Sequence, residues 1–192
     1  MRGWFHFVVI GLVGLQIGNA QQVGVGASYV FVDELDDVYG IVGHVHMPIQ
    51  ENLYLSLRGA SYQEVERTTS VGPVGIDITA DYYPIDLGLG WRTPLGEGSW
   101  TFYAEGGVSY VFVESDIELN GFPTDVEIED DMGGYLTAGL RVGTGSWQGF
   151  AEAQLRTFTW SVDEDSLPPG LPPPEEIDLD HIALNIGLVY QW

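Results

Sequence analysis

The feature that most constrains this chain is the strict alternation of apolar and other residues near its C-terminus. From His181 to Trp192, large apolar side chains occupy every second position. These are Ile182, Leu184, Ile186, Leu188, Tyr190 and Trp192. Because successive side chains of a β-strand point to opposite faces, a period of two predicts a strand with one apolar face.

The same period recurs along the chain and predicts eight strands. They span approximately residues 22–32, 38–47, 53–64, 76–92, 100–113, 132–143, 147–160 and 181–192. The composition agrees, because the chain has 26 glycines and no lysine, and runs of strong helix formers are absent. The predicted fold class is therefore all-β.

The connections between the predicted strands alternate between short and long. The short ones are Pro48–Asn52, Thr93–Ser99 and Thr144–Ser146. The others are Asp33–Asp37, Val65–Gly75, Glu114–Asp131 and Ser161–Asp180, and three of these four are long. Tight turns at one end and longer loops at the other are typical of transmembrane barrels. We therefore predict an eight-stranded antiparallel up-and-down transmembrane β-barrel with both termini at one end.

Acidic residues and tryptophans divide between the two ends of this barrel. All but five of the 28 Asp and Glu residues fall in the proposed outer loops or at adjoining strand ends. The exceptions are Glu51, Asp86, Glu97, Glu105 and Glu152. The short-turn end instead carries Trp91, Trp100, Trp147 and Trp192. Aromatic belts mark membrane interfaces, so these four tryptophans are predicted to form the periplasmic girdle.

The first twenty residues differ from the rest and are predicted to be a signal peptide. Arg2 supplies a positive charge, an apolar run follows from Trp4 to Leu15, and Gly18-Asn19-Ala20 resembles a cleavage site. A buried N-terminal strand or a membrane anchor is the alternative. Residues 21–192 then form the barrel, without cysteines and hence without a disulfide framework. The net charge of −22 argues against nucleic acid as a partner, since phosphate binding needs clustered basic residues.

Over residues 22–192 the chain resembles the small outer-membrane barrel superfamily of the OmpA/OmpX kind. The resemblance is most specific in the terminal strand His181–Trp192. It implies that Leu188, Tyr190 and Trp192 form the signal read by the barrel-insertion machinery. It also implies a location in the bacterial outer membrane, among outer-membrane lipids and lipopolysaccharide. A specific activity does not follow, because one fold carries many functions.

Seven charged residues are predicted by the alternation to point into the barrel. They are Arg58, Asp86, Arg92, Glu105, Arg141, Glu152 and Arg156. Unpaired buried charges are very costly, so these residues are predicted to form an ion-pair network in the lumen. The network either fills the lumen as a structural plug or lines a narrow polar conduit.

The sequence offers little evidence for metal-binding or catalytic residues. His44 and His46 share the inward face at a metal-ligand spacing, yet no third ligand is evident, so polar filling of the lumen is the favoured interpretation. The chain has neither a Gly-x-Ser-x-Gly element nor the His-x-Ser pair of outer-membrane lipid A deacylases. We therefore expect no catalytic residues, no bound metal in the lumen and no cofactor.

The acidic loops are the remaining candidate site. One cluster contains Asp125, Glu127, Glu129, Asp130 and Asp131, and another contains Asp163, Glu164 and Asp165. Carboxylates attract Ca²⁺ or Mg²⁺, which bridge anionic lipopolysaccharide, but the same charges serve equally to keep a surface hydrated.

The sequence thus predicts a monomeric integral outer-membrane barrel with a structural, adhesive or surface-protective role. The first alternative is a narrow channel for small or apolar molecules. The second is an exported soluble β-sandwich that acts as a binding module.

Overall fold

The computed structural model describes residues 22–32, 38–71, 74–119, 122–123, 128, 130–160, 177–178 and 180–192. The predicted signal peptide, Asp125, Glu127, Glu129 and the cluster Asp163–Asp165 lie outside these residues. Within the described ranges, no helix has the length and apolar character needed to cross a membrane.

Eight long antiparallel strands form one closed sheet in the described part of the chain. They are β1 (Gln22–Val32), β2 (Val38–Pro48), β3 (Leu53–Val71), β4 (Val74–Pro94), β5 (Trp100–Leu119), β6 (Asp131–Val142), β7 (Trp147–Thr157) and β8 (His181–Gln191). Each strand pairs with the next, and β1 closes onto β8 from Gln22↔Gln191 to Val32↔His181. The predicted barrel is confirmed, and closure excludes the β-sandwich, whose two sheets would keep free edges.

Three strands are longer than the sequence pattern predicted. β3, β4 and β5 contain 19, 21 and 20 residues, whereas the other five contain 11 or 12. The prediction of a loop at Val65–Gly75 was wrong, because only residues 72–73 separate β3 from β4. The segment contains three Val and two Thr, which favour strands, whereas its Pro and two Gly are typical of a loop.

The ends of these three strands on the long-loop side form what we call the strand extension, comprising residues 63–71, 74–82 and 111–119. About nine residues at about 3.3 Å per residue project roughly 30 Å along the strand direction. The extension begins at a β-bulge, where the β3–β4 register shifts between Tyr62 and Val65. A bulge bends its strand and increases the twist. The extension therefore continues the barrel wall on the long-loop side, and its inward residues Tyr82, Val111 and Ile117 belong to the apolar interior.

The two faces of the sheet differ as the alternation predicted. In β8, the outward Ile182, Leu184 and Ile186 are 47–66% exposed. The inward His181 and Asn185 on the same strand are each 2% exposed. The barrel therefore has an apolar exterior and a filled interior.

The interior is divided by polarity along its length. Toward the long loops, an apolar cluster packs around the stacked rings of Tyr62 and Tyr82, whose centroids are 4.6 Å apart. Further members of this cluster include Val30, Val42, Val111, Ile117 and Phe158. Toward the short turns, charged and polar side chains replace them. The charged half is the candidate site.

Candidate functional site

The charged half of the lumen contains three arginines and three carboxylates, all buried. Arg58, Arg141 and Arg156 are at most 2% exposed, and Asp86, Glu105 and Glu152 at most 5%. Together with the polar side chains that contact them, these six residues are called the lumen network. Every barrel strand contributes, in order through Gln22, His46, Arg58, Asp86, Glu105, Arg141, Glu152 and Asn185.

Arg58 of β3 joins two of the carboxylates. Its guanidinium donates to Glu105 Oε2 at 3.1 Å and to Glu152 Oε2 at 3.1 Å. A second nitrogen of the same group contacts Glu152 Oε1. A guanidinium matches carboxylate geometry with two donors at once. Since Glu152 lies on β7, this contact crosses the lumen.

Polar side chains of β2 and β3 surround the carboxylate of Glu105. The Tyr54 hydroxyl donates to it at 2.9 Å and the Ser56 hydroxyl at 3.0 Å. His46 Nε2 lies 2.9 Å from Glu105 Oε1. Several donors around one buried carboxylate offset its lost hydration.

The other two carboxylates are held in the same manner. Glu152 accepts from the Tyr103 hydroxyl at 2.5 Å and from Asn185 Nδ2 at 2.9 Å. Asp86 accepts from Arg156 at 2.7 Å and from Gln154 Nε2 at 2.8 Å. The second pair, Arg156–Asp86, joins β7 to β4. Two ion-paired bridges therefore cross the interior.

Arg141 differs from the other two buried arginines. It donates to Gln22 Oε1 and, at 2.7 Å, to His46 Nδ1, and it lies 4.5 Å from the Tyr103 ring centroid. Among the described side chains its contacts are thus neutral ones. The three positive and three negative charges still balance across the lumen network.

Arg92, the seventh predicted residue, lies at the margin of the lumen network. It is half-buried at the short-turn end, with its guanidinium carbon 5.7 Å from the Tyr54 ring centroid. No ion pair joins it to another side chain in the described ranges. The structure therefore brings six of the seven predicted residues together and leaves Arg92 beside them.

Large rings fit inside this narrow barrel because glycines lie opposite them. Tyr54 pairs with Gly90 and Tyr103 with Gly139 across neighbouring strands. A Cβ placed on Gly90 would lie 2.2 Å from Tyr54 Cζ, and one on Gly139 would lie 2.6 Å from Tyr103 Cζ. The glycines thus provide the space in which both hydroxyls reach their carboxylates.

The four tryptophans of the predicted girdle all lie at the short-turn end and point outward. Their exposed fractions are 46% for Trp91, 47% for Trp100, 62% for Trp147 and 59% for Trp192. The ring of Tyr190 lies 5.0 Å from that of Trp147 and 5.9 Å from that of Trp192. Leu188, also outward and 54% exposed, completes the predicted insertion signal, and the recognition of that signal stays a prediction.

The sequence pattern did not single out several uncharged members of the lumen network. They are Gln22, Tyr54, Ser56, Tyr103, Gln154 and Asn185. Their inward position follows from the same period of two, which was the available signal. His44 stacks on His46 with ring centroids 4.5 Å apart. Within the described residues, no group of three or more His, Asp or Glu side chains is arranged to hold a metal ion.

No family model matches this sequence, and no curated protein matches it either. Solved structures do match the fold. Against the crystal structure of outer membrane protein OprG from Pseudomonas aeruginosa, the TM-score is 0.65 at 15% identity, covering 91% of this chain and 97% of that one. Against outer membrane protein AlkL, determined by solid-state NMR in DMPC bilayers, it is 0.61 at 16% identity, covering 91% and 90%.

Neisserial surface protein A gives a TM-score of 0.59 at 10% identity, covering 89% of this chain and 96% of that one. At these identities the likeness concerns the fold, since a common fold does not fix function. The chain therefore has the fold of the small eight-stranded outer-membrane barrels.

Proposed function

We propose that this protein is an integral outer-membrane barrel. The support is its exterior, where apolar side chains such as Ile41, Leu87, Leu136 and Ile186 are 48–66% exposed. In water a continuous apolar surface of this kind would promote aggregation. A bilayer solvates it, and a closed barrel leaves no unpaired strand edge in the hydrocarbon. The tryptophan girdle and the similarity to outer-membrane barrels agree with this location.

The orientation follows from the two ends. We place the short turns and the tryptophan girdle on the periplasmic side, and the strand extension outside the cell. Export through a signal peptide at residues 1–20 belongs to this proposal, as does recognition of Leu188, Tyr190 and Trp192 by the barrel-insertion machinery. The protein is proposed to act as a monomer, without a cofactor, and that it is not an enzyme stays a prediction.

The interior best supports a structural role, in which a closed barrel holds an external surface at the membrane. The observation that carries it is the lumen network, in which side chains from all eight strands meet and the Arg58–Glu152 contact crosses the lumen. An eight-stranded barrel is just wide enough to be filled by side chains. The barrel then serves as a closed membrane anchor for an acidic external surface, with an adhesive or protective role.

The acidic surface is the proposed contact with lipopolysaccharide and divalent cations. In the strand extension, Asp81 pairs directly with Glu114, and Thr79 with Asp116. Glu114 and Asp116 are exposed. Like charges directly opposite each other are unfavourable, and Ca²⁺ or Mg²⁺ would relieve the repulsion while bridging anionic headgroups.

Planar-bilayer recording tests the closed barrel. We expect no ion steps from the unaltered protein, and reproducible steps from the double variant Arg58→Ser/Glu152→Ser, which removes the bridge across the lumen. Arg92→Ser, at the margin of the lumen network, is the matched control and should stay silent. Steps in the unaltered protein that disappear on changing Arg141 or Arg92 would overturn the proposal.

A narrow conduit is the second candidate, and one observation favours it. Several buried polar atoms of the lumen have no hydrogen-bond partner among the described residues, including Asp86 Oδ1, Ser109 Oγ and Thr137 Oγ1. Such atoms are usually satisfied by ordered water. A hydrated path beside the ion pairs would carry small molecules once those pairs exchange partners. The same recordings separate the two candidates.

A further inference from the structure

Two arginines at the short-turn end of the lumen have no carboxylate partner among the described residues. Arg92 is half-buried, and Arg141 is 2% exposed with neutral groups at its hydrogen-bonding nitrogens. Deeper in the lumen, by contrast, Arg58 and Arg156 each pair with a buried carboxylate. Because unpaired buried charges are costly, the short-turn end lacks the anion that the deeper part of the lumen contains.

Both of these arginines adjoin the same tyrosine. Arg92 of β4 pairs directly with Tyr103 of β5 in the sheet. The guanidinium of Arg141 lies over the Tyr103 ring, with its central carbon 4.5 Å from the ring centroid. The charges of Arg92 and Arg141 therefore act on each other. Like charges repel strongly in a poorly hydrated interior, and an anion bound by both would replace this repulsion with attraction.

Both side chains also have hydrogen-bond donors that no described residue uses. The buried Nε of Arg141 has no hydrogen-bond partner there. The guanidinium of Arg92 contacts only the ring of Tyr54, at 5.7 Å, and forms no hydrogen bond or ion pair with a described side chain. A guanidinium binds a carboxylate or a phosphate through two parallel N–H donors. The unused donors thus match an oxyanion.

The charge count of the lumen leads to the same ligand. In the described part of the barrel, four inward arginines face the three carboxylates of the lumen network, with histidines counted as neutral. One positive charge is in excess there, although the chain as a whole carries −22. Glu51 and Glu97, in the neighbouring short turns, are exposed and pair with neither arginine. One bound monoanion would balance the charges of the lumen.

The surroundings determine the size of the ligand and its way in. Toward the long loops, the apolar cluster around Tyr62 and Tyr82 fills the lumen. Toward the short turns, Arg92 is partly exposed, so solvent reaches its guanidinium. The interior of an eight-stranded barrel has little room beyond that of its own side chains. The ligand is therefore small and enters from the short-turn end.

We propose that Arg92 and Arg141 form a binding site for one small oxyanion, a carboxylate or a phosphate, at the short-turn end of the lumen. Arg92 supplies two parallel donors, and Arg141 supplies the second positive charge. The site itself needs only the closed barrel. That it opens to the periplasm rests on the orientation proposed above.

Isothermal titration calorimetry of the barrel folded in detergent tests the site. Acetate and inorganic phosphate are titrated separately, at constant ionic strength in chloride. The control Arg67→Gln removes the same charge as Arg92→Gln, but from the strand extension at the opposite end. We expect one anion per unaltered barrel and the same affinity in the control. Binding by Arg92→Gln should be at least about tenfold weaker, as expected for the loss of one charge-assisted hydrogen bond.

Three outcomes would overturn the proposal. If the unaltered barrel shows no saturable binding of either anion, the two arginines do not form a site. If Arg92→Gln binds as tightly as the unaltered barrel, the anion is bound elsewhere. If Arg67→Gln weakens binding as much as Arg92→Gln, the cause is general charge attraction. Heat-modifiable gel migration of the same samples reports the barrel, and carbonate extraction reports the membrane location separately, so failure of the site is distinguishable from failure of the proposed function.

Discussion

Arg58 is the residue that holds the lumen network together, because it contacts two buried carboxylates at once. We expect Arg58→Met to lower the free energy of unfolding by about 3–5 kcal/mol, since it leaves buried carboxylates without their cation. Denaturant unfolding from lipid vesicles, followed by tryptophan fluorescence, measures this. Arg92→Met, which breaks only a cation–π contact at a half-buried position, should cost about 1 kcal/mol or less.

A variant that also neutralises both carboxylates bound by Arg58 separates lost charge from lost packing. Arg58→Met/Glu105→Gln/Glu152→Gln removes the cation together with both carboxylates. It should recover much of the stability lost by Arg58→Met, because neutral groups replace charges that would otherwise be unpaired. A triple variant no more stable than the single one would contradict this explanation.

Gly90 tests how the ring of Tyr54 is accommodated. We expect Gly90→Ala to cost about 1–3 kcal/mol, since the added methyl group overlaps the ring and moves its hydroxyl away from Glu105. Gly59→Ala is the matched control on the outward face, where an added Cβ meets no atom within 4 Å. Unfolding midpoints of the two variants give the comparison, and equal losses would refute the overlap.

Individual residues show how much of the lumen network the sequence could predict. The period of two was sufficient to place Arg58, Asp86 and Glu152 on the inward face. It did not pair them, because Arg58 and Glu152 lie on β3 and β7, which are not neighbours in the sheet. Contacts across a lumen depend on the tilt and relative shift of all eight strands. That is also why Arg92, inward by alternation, lies beside the lumen network.

At the level of elements, the strand extension shows where the period of two is least informative. Residues 63–71 carry Thr and Ser among acidic side chains, so no apolar face is evident there. The ladder nevertheless continues to Val71↔Val74. Backbone pairing of residues 65–71 with β4, together with β-branched residues, maintains this part of β3 without a continuous apolar stripe. The short turns, in contrast, were predictable because Pro, Gly and Asn cluster in them.

The pairing of Asp81 with Glu114 gives a prediction for the extension. Replacing Glu114 by Lys converts a like-charge pair into an opposite-charge pair and should stabilise the extension by about 0.2–1 kcal/mol. Hydrogen exchange of amides in residues 78–82 and 111–116 measures the change. Glu97→Lys alters the net charge equally, but in the short turn between β4 and β5 at the opposite end of the barrel, and should leave these amides unaffected. Slower exchange in both variants would indicate a general charge effect instead.

On the scale of the whole molecule, closure of the sheet accounts for both the apolar exterior and the charged interior. The apolar exterior requires a bilayer, and a bilayer requires a closed sheet. A closed sheet of eight strands leaves an interior that side chains must fill, and two of its three buried arginines, Arg58 and Arg156, pair with buried carboxylates. Closure itself is visible in the β1–β8 ladder, which brings Gln22 and Gln191 together, with their side chains 2.9 Å apart.

Gel migration with and without heating, on membranes washed with carbonate, tests the membrane barrel most directly. The account predicts that the protein stays in the membrane fraction. Unheated, it should migrate faster than after boiling, because the closed barrel remains compact in detergent until heat unfolds it. Release by carbonate, together with one mobility before and after boiling, would contradict it.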